Sequence, residues 1–152
     1  MPKKIAELVQ SPKDKAVIVE LAADEVAMVT GMMGGCVSVI VLTNPQNDKF
    51  QTVRGHHGSG GVRNVNWDEL LNGAKLGAND LVVFGYSPDE HEEEVKRIQA
   101  AAKAVGQAKG TRHVFAAYSN VYVDRKSPHP TVREFKSAEE AGFEVRKGRW
   151  II

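Results

Sequence analysis

The stretch Cys36-Val37-Ser38-Val39-Ile40-Val41-Leu42, the turn formers Asn44-Pro45-Gln46-Asn47-Asp48 and the return Phe50 to His57 decide how this chain folds. The first run is β-branched and almost uniformly apolar, the pattern of a strand buried on both faces. Five turn-forming residues then fold the chain back into a hairpin.

Further strands are predicted on either side of the hairpin. Upstream they are Lys15 to Leu21 and Val26 to Thr30. Downstream they are Asp80 to Tyr86, His113 to Tyr118, Val121 to Asp124, Phe143 to Val145 and Trp150 to Ile152. Asn66 with Glu69 three residues later forms a capping-box pattern for a short helix, Trp67 to about Ala74. Ser87 as cap, Pro88 at the first helical position and Glu90 predict a second helix running to about Val105. Val95, Ile98, Ala102 and Val105 are its apolar stripe, and Gly106 and Gly110 end it. The sum is an α+β fold: a mostly antiparallel, β-sandwich-like sheet core with two covering helices. We expect one catalytic domain over residues 1–152, with residues 1–14 as a loosely packed leader.

Composition narrows the function classes. The chain has 152 residues, 42% apolar and 26% charged, which is ordinary for a globular domain. Its 20 basic and 19 acidic residues leave a net charge of +1. Binding nucleic acid through phosphate neutralisation calls for a basic excess, so no nucleic-acid partner is expected. Val37 to Leu42 is the longest apolar run and is far too short to span a bilayer, so no membrane insertion is expected. Met1-Pro2-Lys3-Lys4 is followed by no apolar h-region, so no secretory signal is read. Cys36 is the one cysteine, which excludes an intrachain disulfide.

That cysteine sits in Thr30-Gly31-Met32-Met33-Gly34-Gly35-Cys36, and the returning strand ends in His56-His57. A thiolate is the reactive form of cysteine, and a neighbouring imidazole can take its proton. Cys36 opens one strand and the histidines close the next, so all three lie at the open end of the hairpin. Cross-strand partners there have Cβ atoms about 5 Å apart, within reach of a thiol–imidazole contact. Neighbouring strand residues face opposite sides, so only one of His56 and His57 can meet Cys36. Gly31, Gly34 and Gly35 allow unusual backbone angles and keep the space above the sulfur clear. The main-chain N–H groups from Gly34 to Cys36 are candidates for an oxyanion hole. The competing reading is a small buried hydrophobe in a non-catalytic binding module.

The pattern Thr-Gly-x-x-x-Gly-Cys opening a strand, with histidine at the end of the next, resembles the cytotoxic-necrotizing-factor-like and chemoreceptor-deamidase-like cysteine glutamine deamidases. The toxins of that family carry Leu-Ser-Gly-Cys where this chain has Met33-Gly34-Gly35-Cys36, and the matched residues span about positions 26 to 60. The resemblance implies an α+β sandwich that hydrolyses a protein glutamine side chain to glutamate and releases ammonia, without a cofactor. It implies Cys36 as nucleophile, His56 or His57 as base, and Thr30, six positions before the cysteine, as a member of the catalytic set that orients the imidazole. The spacing His-x-Gly favours His56 slightly. The implied partner is the target protein carrying the glutamine. The implied setting is a bacterial effector or toxin domain, found in the bacterial cytoplasm before export or in a target cell, reached without a classical signal peptide. Transglutamination and peptide hydrolysis are alternatives that use the same pair.

Other candidates are weaker. His91-Glu92-Glu93-Glu94 lacks the second histidine of a zinc-protease helix, and acids there suit a helix start. His113 and His129 have no partner at ligand spacing, so no metal is implied. Gly55 to Gly61, flanked by Arg54 and Arg63, lacks the lysine and Ser/Thr of a phosphate loop. Arg125-Lys126 reads as a solvated basic pair.

Overall fold

The computed structural model describes residues 2–11, 17–136 and 142–147. Two sheets and two helices make three layers. The strands are β1 (Lys3–Leu8), β2 (Gln10–Ser11), β3 (Val19–Glu20), β4 (Glu25–Thr30), β5 (Val37–Gln46), β6 (Lys49–Gly58), β7 (Leu81–Tyr86), β8 (Arg112–Ala116), β9 (Val121–Asp124), β10 (Val132–Glu134) and β11 (Phe143–Lys147). The helices are α1 (Trp67–Leu71) and α2 (Glu92–Lys109). One sheet runs β10-β9-β4-β1-β11; the other runs β2-β6-β5-β7-β8, with β3 also paired to β6. The hairpin β5–β6 and the pairs β5–β7, β4–β9, β9–β10 and β3–β6 are antiparallel. The pairs β1–β4, β1–β11, β2–β6 and β7–β8 are parallel. The α+β sandwich with two covering helices is therefore the observed architecture.

Burial follows the period of two. Ala6 and Leu8 of β1, Met28 of β4, Ile40 and Leu42 of β5 and Val83 of β7 fill the space between the sheets. Val37, Val39 and Val41 of β5 face the other way, against Ile98 and Ala102 of α2 and Leu70 of α1. Both faces of β5 are thus buried, as its unbroken apolar run requires. The sheets approach so closely at Gly55 that a Cβ there would stand 2.6 Å from Met28 Sδ and 2.9 Å from Leu8 Cδ2.

Several elements differ from the sequence expectation: β10 is not among the expected strands, and of Lys15 to Leu21 only Val19–Glu20 is strand among the described residues. Residues 3–11, expected within a loose leader, instead form β1 and β2, and Ile5, Ala6 and Leu8 are fully buried. Helix α2 begins at Glu92, not Pro88. Ser87 Oγ accepts from Asp89 N–H (3.2 Å) and Ser87 O from Glu90 N–H (3.0 Å), which closes a turn ahead of the helix. Helix α1 stops at Leu71 because Asn72 adopts a left-handed conformation with φ of 48°. Its expected start stands, with Asn66 Oδ1 accepting from Glu69 N–H at 3.1 Å. The expected strand Trp150 to Ile152 lies outside the described residues.

Arg125 is the main correction. It is only 7% exposed, not solvated. Its guanidinium donates to four main-chain carbonyls: Phe50 (3.0 Å) and Gln51 (2.6 Å) of β6, Ala22 (3.0 Å), and Glu25 (2.8 Å) at the start of β4. One side chain therefore ties the backbones of the two sheets together. Arg125→Met would leave those carbonyls without their donor, and each buried unsatisfied group costs about 1–3 kcal/mol. The expected result is a loss of about 3 kcal/mol or more in urea unfolding, with Lys126→Met, 74% exposed at its side chain, as a near-neutral control.

Candidate active site

Register decides which histidine joins the cysteine. In the hairpin, Val37 pairs with Gly58, Ser38 with His57 and Val39 with His56. Directly paired residues project from the same face. His56 therefore shares the helix-covered face with Val39, and His57 shares the inter-sheet face with Ser38. Cys36 packs in the inter-sheet core with Met33 and Ile40. The register thus sets His57, not the slightly favoured His56, on the face that holds Cys36. Cys36 stands one residue beyond the last pair, Val37 with Gly58, so it has no direct cross-strand partner.

His57 is 1% exposed. Its Nδ1 lies 3.3 Å from the carbonyl oxygen of Leu8, which can only accept, so the Nδ1–H donates to it. In the neutral ring Nε2 then carries the lone pair. That atom is buried and has no hydrogen-bond partner among the described residues. Burial pushes His57 below its ordinary value, against the pull of the Leu8 hydrogen bond. The residue that orients this ring, Leu8, was not foreseen: a main-chain carbonyl leaves no mark in the sequence.

His56 belongs to a separate arrangement. Its Nδ1 is 3.4 Å from Ser11 Oγ, which also accepts from Val17 N–H at 3.0 Å. The ring lies over Gly58, where a Cβ would come within 2.6 Å of Nε2. Burial lowers His56 as well.

Cys36 is 7% exposed, and no hydrogen bond joins its sulfur to either imidazole. Burial pushes the thiol up, and the charge of Glu90 adds to the rise. Both members of the pair therefore rest uncharged, a neutral thiol and a neutral imidazole. The loop above the sulfur is pinned from inside. Met33 is buried, its N–H donates to Ser119 O (2.8 Å), and its Sδ accepts from Ser38 O–H (3.0 Å).

Thr30 is buried, but its Oγ1 accepts from Val121 N–H at 2.9 Å and so ties β4 to β9. It makes no direct bond to an imidazole. It pairs with Leu8, whose carbonyl holds His57. None of Gly31, Gly34 and Gly35 uses a left-handed backbone, contrary to the expectation for this loop. What they supply is space: a Cβ on Gly34 or Gly35 would meet nothing within 4 Å.

The remaining sequence candidates are engaged elsewhere. Arg54 donates to the Leu70 and Glu69 carbonyls (2.8 and 2.7 Å) at the end of α1 and pairs with Glu20 (2.8 Å). The glycine-rich turn already faces an anion, since Glu94 Oε2 accepts from Val62 N–H at 2.9 Å. Among the described residues no three His, Cys, Asp or Glu side chains gather closely enough to hold a metal ion. No described helix is long and apolar enough to cross a membrane. No protein-family model matches the chain, and no curated protein matches it.

The two buried histidines make stability depend on pH. Their folded values lie below the ordinary 6.5, so they contribute stability above that value and lose it as pH falls below it. Urea midpoints should be flat from about pH 8 to pH 7 and fall below about pH 6.5. The decline should be shallower in His56→Asn and His57→Gln. An unchanged slope in both variants would show that neither ring is kept neutral by the fold.

Proposed function

We propose that this protein is a cysteine-dependent protein glutamine deamidase, with Cys36 as nucleophile and His57 as base. The observation that carries the reading is the state of His57. The ring lies on the face of the hairpin that holds Cys36, with Nδ1 committed to Leu8 and Nε2 buried and unpartnered. A buried acceptor without a donor costs free energy unless it has a use. Taking the Cys36 proton is such a use.

The chemistry runs from the resting neutral pair. Substrate enters over Gly34 and Gly35, where no side chain stands in the way. Nε2 takes the thiol proton as sulfur attacks the carboxamide carbon. Main-chain N–H groups between Gly34 and Cys36 receive the oxyanion. The C–N bond breaks, the imidazolium returns the proton, and ammonia leaves. Water activated by the same ring hydrolyses the thioester to glutamate. Thr30 acts at one remove, by holding the strand that carries Leu8. The resemblance to the glutamine deamidases supplies the substrate class and the setting, a bacterial effector or toxin domain.

A second reading has its own support. Cys36 is nearly sealed and its thiol is pushed up, which suits a packed cysteine in a protein-binding module. Ammonia release and intact-mass analysis over a panel of glutamine-rich proteins separate the two. Cys36→Ser should abolish the conversion. His57→Gln should reduce it by about 10²–10⁴-fold, while His56→Gln should leave most of it. Conversion that survives Cys36→Ser excludes the nucleophile. A native thiol inert to iodoacetamide even well above neutral pH favours the binding module.

A further inference from the structure

Like His57 Nε2, Oε2 of Glu7 is a buried polar atom without a hydrogen-bond partner among the described residues. Gly31 has both side chains as neighbours. A Cβ on that glycine would stand 3.6 Å from Glu7 Oε1 and 3.9 Å from His57 Cε1. Glu7 immediately precedes Leu8, whose carbonyl holds Nδ1, so one strand brings both groups to the ring. The nearest cation to Glu7 is Lys147 of β11, whose Nζ is 3.9 Å from Oε2, beyond hydrogen-bond length, on a side chain 78% exposed.

We propose that Glu7 is a positioning residue for His57: its carboxylate, across Gly31 from the ring, stabilises the imidazolium formed when His57 takes the Cys36 proton. This rests on the proposed roles of Cys36 and His57. The ionisable groups around the ring are His56 beside it on β6, whose charge lowers His57, and Glu7 from β1, across Gly31, with Lys147 of β11 behind it; Cys36 shares the same face of the hairpin. An opposite charge near a buried imidazole favours its charged form, and a solvated lysine behind it offsets that only in part.

The test is an NMR titration of the His57 ring in the full chain, from about pH 8 to about pH 5. Glu7→Gln should move its midpoint down, and Lys147→Met should move it up. His56, on the opposite face, should follow neither change. In the deamidation assay Glu7→Gln should lower kcat/KM by about tenfold, the equivalent of one pH unit in the base, and Glu7→Asp should recover part of the loss. A His57 midpoint unmoved in both variants overturns the proposal, as does a ring that stays neutral down to acid unfolding in all three proteins. Midpoints that shift as stated, in a protein whose iodoacetamide labelling ignores His57→Gln, would uphold the Glu7–His57 coupling and instead reject Cys36–His57 as the reacting pair.

Discussion

Two residues determine which histidine can meet the sulfur. Asn47 and Asp48 both adopt positive φ (56° and 62°) and join β5 to β6 in a two-residue turn, the geometry whose twist suits a tight hairpin. That turn sets the pairing of Ser38 with His57. A slip of one residue would send His57 to the helix side and bring His56 to the cysteine. The apolar pattern alone could not prevent it, because Val37 to Leu42 is hydrophobic on both faces. Polar contacts reinforce the turn: His57 with Leu8, His56 with Ser11 and Ser38 with Met33.

The hairpin, β7, the stripe of α2 and the position of Cys36 were all legible in the sequence, because each is written in side-chain periodicity or in turn residues. Register was not. Five consecutive turn formers, Asn44 to Asp48, offered several places to fold back, and only the last two residues form the turn. Strand β1 was hidden by Glu7, a charge in a segment expected to be a loosely packed leader. Arg125 was missed for a different reason: its partners are carbonyls, which every residue has, so nothing in the sequence marks the carbonyls it binds. Leu8 escaped notice on the same ground.

Burial dominates the electrostatics of the site. It raises the thiol and lowers both imidazoles. Under the proposed function, charge separation between Cys36 and His57 would wait for a substrate that supplies hydrogen bonds, and the open main chain at Gly34 and Gly35 is the place proposed for it. The structural elements around the pair are held stiffly. Arg125 clamps the two sheets, Thr30 fastens β4 to β9, and Glu94 holds the loop that follows β6. Such rigidity suits a site in which a small displacement of the ring would break the geometry.

The pairing of β1 with β11, Lys3 opposite Phe143 and Ile5 opposite Val145, has a consequence for biosynthesis. Strand β1 is made well before β11, so this edge of it stays unpaired until β11 has been translated. Contacts of such long sequence separation form slowly, since the intervening loop must close first. The edge of β1 that β11 covers is thus the last part of this sheet to close, long after β4 has covered the other edge.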